Sequence, residues 1–376
     1  MIYMDYNATT PIDKEVAREM EPYLQDHFGN PSSTYQYGVK TKNAIEKARV
    51  QVATLIGCQP SEIVFTSGET ESNNFAIKGA VFKNKDRGNH IITTQIEHPA
   101  VLEVCKYLEK YGFKVSYVPV DEFGMVSVSD VKKEITSKTI LISIMHANNE
   151  VGTVQPIKEI SKLAKEYRVI MHSDAAQSAG KIPTEINNLE VDLLSMSGHK
   201  FYGPKGIGAL YIHQGLKLEK LMHGAGQEQG RRAGTENVLE IVGLGKACEI
   251  ARRDLEKNLS HTKKLRDDLY VGLSKKIKNI RLIGHPEKRL PNTLSLSFLR
   301  LKTNKFLSEI NKYITVSAGA ACHSGEVKAS YVLKAMNISP KWTKGALRFS
   351  TGKMTTADEI DKSVKILSDN ILKFIN

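Results

Sequence analysis

Cysteine and tryptophan are scarce in this chain, with 4 and 1 among 376 residues. The four cysteines, Cys58, Cys105, Cys248 and Cys322, form no close pairs, which argues against a disulfide framework or a zinc ribbon. No apolar run approaches the roughly 20 residues of a membrane-crossing helix. The opening MIYMDYNATTP has no basic stretch leading into an apolar one, so no signal peptide is expected. Internal repeats and low-complexity tracts are missing too. The glycine-rich turn GPKGIG lacks the spacing of a dinucleotide-binding GxGxxG. What remains is the make-up of an ordinary soluble protein, 41% hydrophobic and 25% charged, long enough for more than one domain. A cytoplasmic location and no membrane association are expected.

The net charge of +12 is unevenly spread: residues 251–312 hold 16 Lys and Arg against 6 Asp and Glu. A run of this kind usually forms a solvated face; the sharper expectation is a surface that attracts an acidic partner. No nucleic-acid recognition module is present.

Short apolar, β-branched runs alternate with amphipathic helical patterns through the first part of the chain. EIVFTS, HIITT, KVSYVPV, TILISIMH, RVIMHSD, VDLLSMS and GALYIH read as seven strands. Near-continuous hydrophobicity within them indicates a mostly parallel sheet covered on both faces, hence an α/β layered domain. After about Gln214 a glycine-rich stretch, HGAGQEQGRRAGTEN, leads into one long helical pattern from Val238 to Ser274. Shorter strands (RLIGH, NTLSLSF, ITVSAG, ALRFS) and a terminal helix from about Thr356 follow. These read as a smaller α+β domain.

Ligands in open α/β sheets bind beyond the carboxyl ends of the strands, and three polar groups fall there. Ser67-Gly68 leads into a helix opening Glu69-Thr70-Glu71, whose free N–H groups suit a phosphate. Asp174 ends a buried strand; there it caps the next turn or holds a proton on a buried heterocyclic nitrogen. Ser197, His199 and Lys200 follow another strand, and a buried lysine amine traps carbonyls. A phosphate seat, a buried acid and a lysine 26 residues later are what pyridoxal phosphate requires: a Schiff-base lysine and an acid that keeps the ring an electron sink.

At this point the sequence resembles the cysteine desulfurases, class V members of the fold-type I pyridoxal-phosphate enzymes. The matching stretches are YMDYNATTP, FGNPSS, FTSGETESNN, EHPAVL, HANNEVGTVQPI, HSDAAQSAGK, SGHKFYGPKGIGALY, QEQGRRAGTEN, AACHS and LRFSTGK. Selenocysteine lyases share the framework. The resemblance implies a large cofactor-binding domain over 15–257, and a small domain from 1–14 and 258–376 that carries a mobile cysteine loop at about 317–330. It implies Lys200 as the cofactor lysine, Asp174 on the ring nitrogen, Gln177 on the ring hydroxyl and His98 over the ring as a proton carrier. Phosphate falls to the Glu69 backbone, Thr70, Ser197, His199 and, from a second copy in a homodimer with composite sites, Thr235. Arg348, with Asn149, is expected to clamp the substrate carboxylate. No metal is implied.

Cys322, among small residues in SAGAACHSGEVKAS, then has a purpose. Cysteine sulfur leaves a β-carbon, and a thiolate on a pliant loop collects it as a persulfide and carries it outward. The segment length resembles the longer-loop group, which delivers sulfur to acceptors such as an iron–sulfur scaffold or a tRNA-thiolation enzyme; the basic region is the expected docking surface. Two departures stand out. His323 follows the cysteine where many desulfurases have Thr, closer to selenocysteine lyases. Glu69 replaces a small residue, and its charge suits a phosphate seat only if it points away. Rival readings are an aminotransferase or another β-lyase on the same scaffold, which has no need of Cys322, and a non-catalytic scaffold or RNA-binding protein, which has no need of Lys200.

Overall fold

The computed structural model describes residues 1–318 and 330–375; Cys322 and His323 lie outside the described residues. The strands, in chain order, are β1 (Ile2–Tyr3), β2 (Ile63–Thr66), β3 (His90–Thr94), β4 (Lys114–Val118), β5 (Thr139–Ser143), β6 (Ile170–Asp174), β7 (Leu193–Ser197), β8 (Gly208–Ile212), β9 (Ile280–Ile283), β10 (Thr293–Phe298), β11 (Ile314–Thr315), β12 (Ser317–Ala318) and β13 (Ala346–Ser350). Seven of them form one sheet in the order β2-β8-β7-β6-β5-β3-β4. The pairings between β7 and β4 are parallel, and β8 runs antiparallel to both its neighbours. Strands β2, β3, β5, β6, β7 and β8 are buried at every position, because helices cover both faces. All seven strand readings are borne out, and the sheet is the one expected.

A second sheet, β12-β13-β10-β9, is antiparallel throughout. ITVSAG divides between two sheets: β11 pairs with β1, and β12 joins β13. The apolar face of this second body meets Leu265, Leu269, Leu273, Leu367 and Ile371 of two helices, with Met4 from the chain start.

The single long helix expected from Val238 is two helices, Val238–Arg253 and Leu255–Lys276. Between them Asp254 leaves helical geometry at φ −107, ψ 11. Arg253 grips both Asp254 and Glu15 there, each at 2.9 Å. The reason is that the two apolar stripes serve different cores. Cys248, Ile250 and Ala251 pack under the large sheet, whereas Leu265, Leu269 and Leu273 pack under the small one. A straight helix has one stripe direction and serves only one.

The stretch QEQGRRAGTEN is held by a buried ion pair. Arg49 reaches Glu228 through both terminal nitrogens at 2.8 Å, and Glu228 also accepts from the Phe65 N–H at 2.9 Å. Both side chains are almost fully buried. Removing one partner leaves a buried charge alone, so Arg49→Leu is expected to lower stability by about 3–5 kcal/mol in chemical denaturation. A loss under about 1 kcal/mol would mean that water reaches Glu228.

Candidate active site

Three strand ends supply the site. At the end of β6, Asp174 is buried; its Oδ2 accepts from Asn73 Nδ2 at 2.7 Å and its Oδ1 from the Ala176 N–H at 2.9 Å. It both caps the following turn and faces the cleft. No cation lies within ion-pair range of it among the described residues. Burial, and then the nearby Glu69 charge, therefore raise its proton affinity.

After β7 the chain makes a short 3-10 turn over Gly198–Lys200. Opposite the end of β7, on β8, Gly208 has room for no side chain: a Cβ would lie 2.5 Å from the Met196 carbonyl and 2.8 Å from Gly68 Cα. Only glycine lets the helix start come down so close to the sheet. Lys200 donates from Nζ to the carbonyls of Asn7 and Ala8, each at 2.9 Å. Burial pushes its pKa below that of a free lysine; Arg348 adds to this, while Glu69, Asp174 and Asp5 oppose it. His199 Nδ1 lies 3.1 Å from Thr9 Oγ1, and burial and the lysine charges bring its pKa down to about 4. It is a neutral ring at ordinary pH.

After β2, Gly68 at φ 151 opens the helix Glu69–Lys83, and no side chain caps it. Its first N–H groups are left to solvent or a ligand. His98 precedes the helix Pro99–Glu109, with Nδ1 accepting from the Ala100 N–H at 3.2 Å. Glu69 does not point away. Its carboxylate is 3.7 Å from His98 Nδ1 and largely buried, facing a cleft that holds Lys200 and His199. Of the groups there the Lys200 amine is the one of opposite charge, a neighbour that the local sequence did not reveal.

Arg348 on β13 comes from the small body. Nη1 donates to the Asn149 carbonyl at 3.0 Å and Nη2 to Asp5 at 2.7 Å, while Nε is buried without a partner. The Asn149 Oδ1 is likewise buried and unpartnered. Gln177 is fully engaged on one side: Nε2 donates to the Asn7 carbonyl and Oε1 accepts from Lys181, both at 2.9 Å. Ser197 is buried at the end of β7, and Thr70 is exposed at the helix start. Thr235 is exposed in a hollow with Ser67 and Arg232. Among the described residues it makes no hydrogen bond to Lys200, Asp174 or His199.

Asn7 is the residue that sequence reasoning missed. Buried, it gathers Lys200 and Gln177 on its carbonyl, Lys181 and Asn292 on Oδ1, and sends Nδ2 to Asn149 and Thr293. The YMDYNATTP motif was a signal of presence but not of role. Ser330 and Tyr331, which follow the segment that holds Cys322, were missed also. Ser330 donates to Glu150, and Tyr331 donates to the Glu97 carbonyl at 2.6 Å. Glu97 and Glu150 are buried acids, pushed up to about 8 and about 7.

The residues fit pyridoxal phosphate. An uncapped helix start suits its phosphate, and a buried acid without a cation suits its ring nitrogen. A lysine of lowered pKa suits its aldehyde, and the buried, unpartnered Arg348 Nε–H is a donor for a carboxylate. Among the described residues no three His, Cys, Asp or Glu side chains cluster as a metal site. In the basic region, Lys263, Lys264 and Arg266 are paired with Asp267 or Asp268 on the same helix, pairs already within the 16-to-6 count, so the excess charge lies with the other basic residues.

The fold is that of the fold-type I pyridoxal-phosphate enzymes. The family model for aminotransferase class-V matches residues 2–362, and the chain belongs to that family. It is 48% identical to a cysteine desulfurase IscS of Dictyoglomus turgidum, over 99% of this chain and 95% of that one. A cysteine desulfurase IscS of Methanosarcina thermophila is also 48% identical, over 100% of this chain and 93% of its own. Among solved structures, a NifS-like protein superposes with a TM-score of 0.93 at 42% identity, covering 99% of each chain. A structure described as SspA in complex with cysteine gives 0.83 at 36% identity, covering 95% of this chain and 100% of that one.

Proposed function

We infer that this protein is a pyridoxal-phosphate-dependent cysteine desulfurase, which converts L-cysteine to L-alanine and stores the sulfur on Cys322. The observation that carries the reading is the placement of Asp174 at the end of β6 and Lys200 just beyond the end of the paired strand β7, a buried acid with no ion-pair partner among the described residues beside an amine of lowered pKa. The division of the chain into bodies 15–257 and 1–14 with 258–376 is part of the same reading.

Asp174, Gln177 and His98 would hold the cofactor ring. The Glu69 N–H, Thr70, Ser197 and His199 would hold its phosphate, with Thr235 supplied by a second copy in a homodimer. When bound, the cofactor supplies an electron sink that loosens the Cα–H and Cβ–S bonds of an amino acid. Arg348 and Asn149 take the substrate carboxylate, for which Arg348 Nε is free to donate and Asn149 would donate through its amide N–H. Lys200 moves the proton at Cα, and His98 is a second carrier. The Cys322 thiolate attacks the substrate sulfur, and the Cβ–S bond breaks as the S–S bond forms. The released pair of electrons stays at Cβ and is protonated, which completes alanine.

The other thiols support this assignment by being unfit for it. Burial pushes Cys58 and Cys105 each up to about 12, and Cys248 higher still. None of them is a thiolate at neutral pH. An iron–sulfur scaffold or a tRNA-thiolation enzyme in the cytoplasm is the proposed recipient.

Selenocysteine lyase activity is the second reading, favoured by His323 after the cysteine. Alanine release from L-cysteine and L-selenocysteine separates the two. We expect kcat/KM for cysteine to be within about 10-fold of that for selenocysteine. A preference for selenocysteine above about 100-fold would overturn the first reading.

A further inference from the structure

Lys181 closes the motif HSDAAQSAGK, and no role has been given to it. It lies four residues after Gln177, and its amine turns inward. Nζ donates to Gln177 Oε1 at 2.9 Å and lies 3.3 Å from Asn7 Oδ1. Among the described residues it has no carboxylate within ion-pair range. Burial, with the Lys200 and Arg348 charges, pushes its pKa well below that of a free lysine. A buried amine without an acid is costly, and packing alone would be served as well by an apolar side chain. An amine also donates a hydrogen bond whether or not it is protonated, so these contacts persist when its charge is lost.

What the contacts do follows from the amide they hold. Gln177 gives one N–H to the Asn7 carbonyl at 2.9 Å. Since Oε1 is committed to Lys181, the remaining Nε2 hydrogen is left for the cleft. Without Lys181 the direction of the amide rests on the Asn7 carbonyl alone. Asn7 is fixed in the same way: Oδ1 takes Lys181 and Asn292, so Nδ2 reaches Asn149 and Thr293 while the backbone carbonyl holds Lys200.

We propose that Lys181 is a positioning residue for the reaction, setting the direction in which the Gln177 and Asn7 amides face and thereby what is presented to the cofactor ring oxygen and to Lys200. The inference rests on the assignment of Gln177 to that oxygen. The charged and titratable groups facing this pair of lysines are Arg348, Glu69, Asp174, Asp5 and His199. None of them is altered in the variants below.

The test is a pH titration of the visible absorption of cofactor-loaded protein, with steady-state kinetics alongside. In Lys181→Met the Gln177 amide loses one of its two anchors, so the donor it presents to an anionic ring oxygen is less firmly held and that oxygen takes up its proton at higher pH. The midpoint is expected to rise by about one unit. The value of kcat should fall on the order of 10-fold with KM within about 3-fold. Lys181→Arg, which keeps the donors, should restore most of both. Lys181→Gln ends one atom short of the amine and carries the test if the Met variant does not fold. A midpoint in the Met or Gln variant within about 0.2 unit of the unsubstituted protein, or an Arg variant no better than Met, overturns the inference. If the unsubstituted protein develops no visible band with pyridoxal phosphate, the cofactor assignment fails and this inference falls with it.

Discussion

Lys200→Ala protein is expected to remain folded, to develop no yellow colour with pyridoxal phosphate, and to release alanine from cysteine at least about 10³-fold more slowly. The argument is geometric first. The amine is held by two carbonyls, of Asn7 and Ala8, neither of which neutralises it. Burial favours its uncharged form, which is the form that attacks a carbonyl carbon. Alanine removes the anchor and a proton carrier together. Since the side chain is only partly buried, Ala8 is exposed and the Asn7 carbonyl keeps its bond from Gln177, the cost in stability is small beside the cost in rate. Absorbance, a thermal melt and alanine release on one preparation check all three parts. A yellow Lys200→Ala protein would place the cofactor on another amine.

Cys322→Ala should give the opposite pattern: the visible band and cofactor affinity unchanged, and transfer of sulfur to an acceptor thiol reduced to background. The large effect is expected because no other described cysteine can take over. Cys105 and Cys248 are buried in the cores, and Cys58 is held protonated by burial near Glu62. An aminotransferase on the same scaffold would not respond to the change. Transfer within a few-fold of the unsubstituted rate would therefore remove Cys322 from the pathway.

Much of the site was readable because its parts fall at strand ends, where sequence periodicity is informative. β6 ends at Asp174 and β7 at Ser197, just before His199 and Lys200, and apolar runs mark those ends plainly. What stayed hidden depends on contacts across long stretches of chain. Asn7 meets Lys200 193 residues later and Asn292 285 residues later. Nothing near Asn7 in sequence signals those partners. The direction of Glu69 was hidden for the same reason: local letters suggested a clash with phosphate, whereas His98 and Lys200 surround it in space. The resemblance implied a substrate-carboxylate role for Arg348, but its Asp5 partner lies 343 residues away. The break at Asp254 escaped periodicity because each half keeps a good helical pattern, and only the existence of two cores makes a straight helix impossible.

The most direct test is mass spectrometry of the protein after brief incubation with pyridoxal phosphate and L-cysteine, without reductant. One added sulfur atom is expected on the peptide that carries Cys322, with alanine formed in equal amount. Alanine accumulating while that peptide stays unmodified, or the added sulfur residing on Cys58, Cys105 or Cys248, would contradict the assignment.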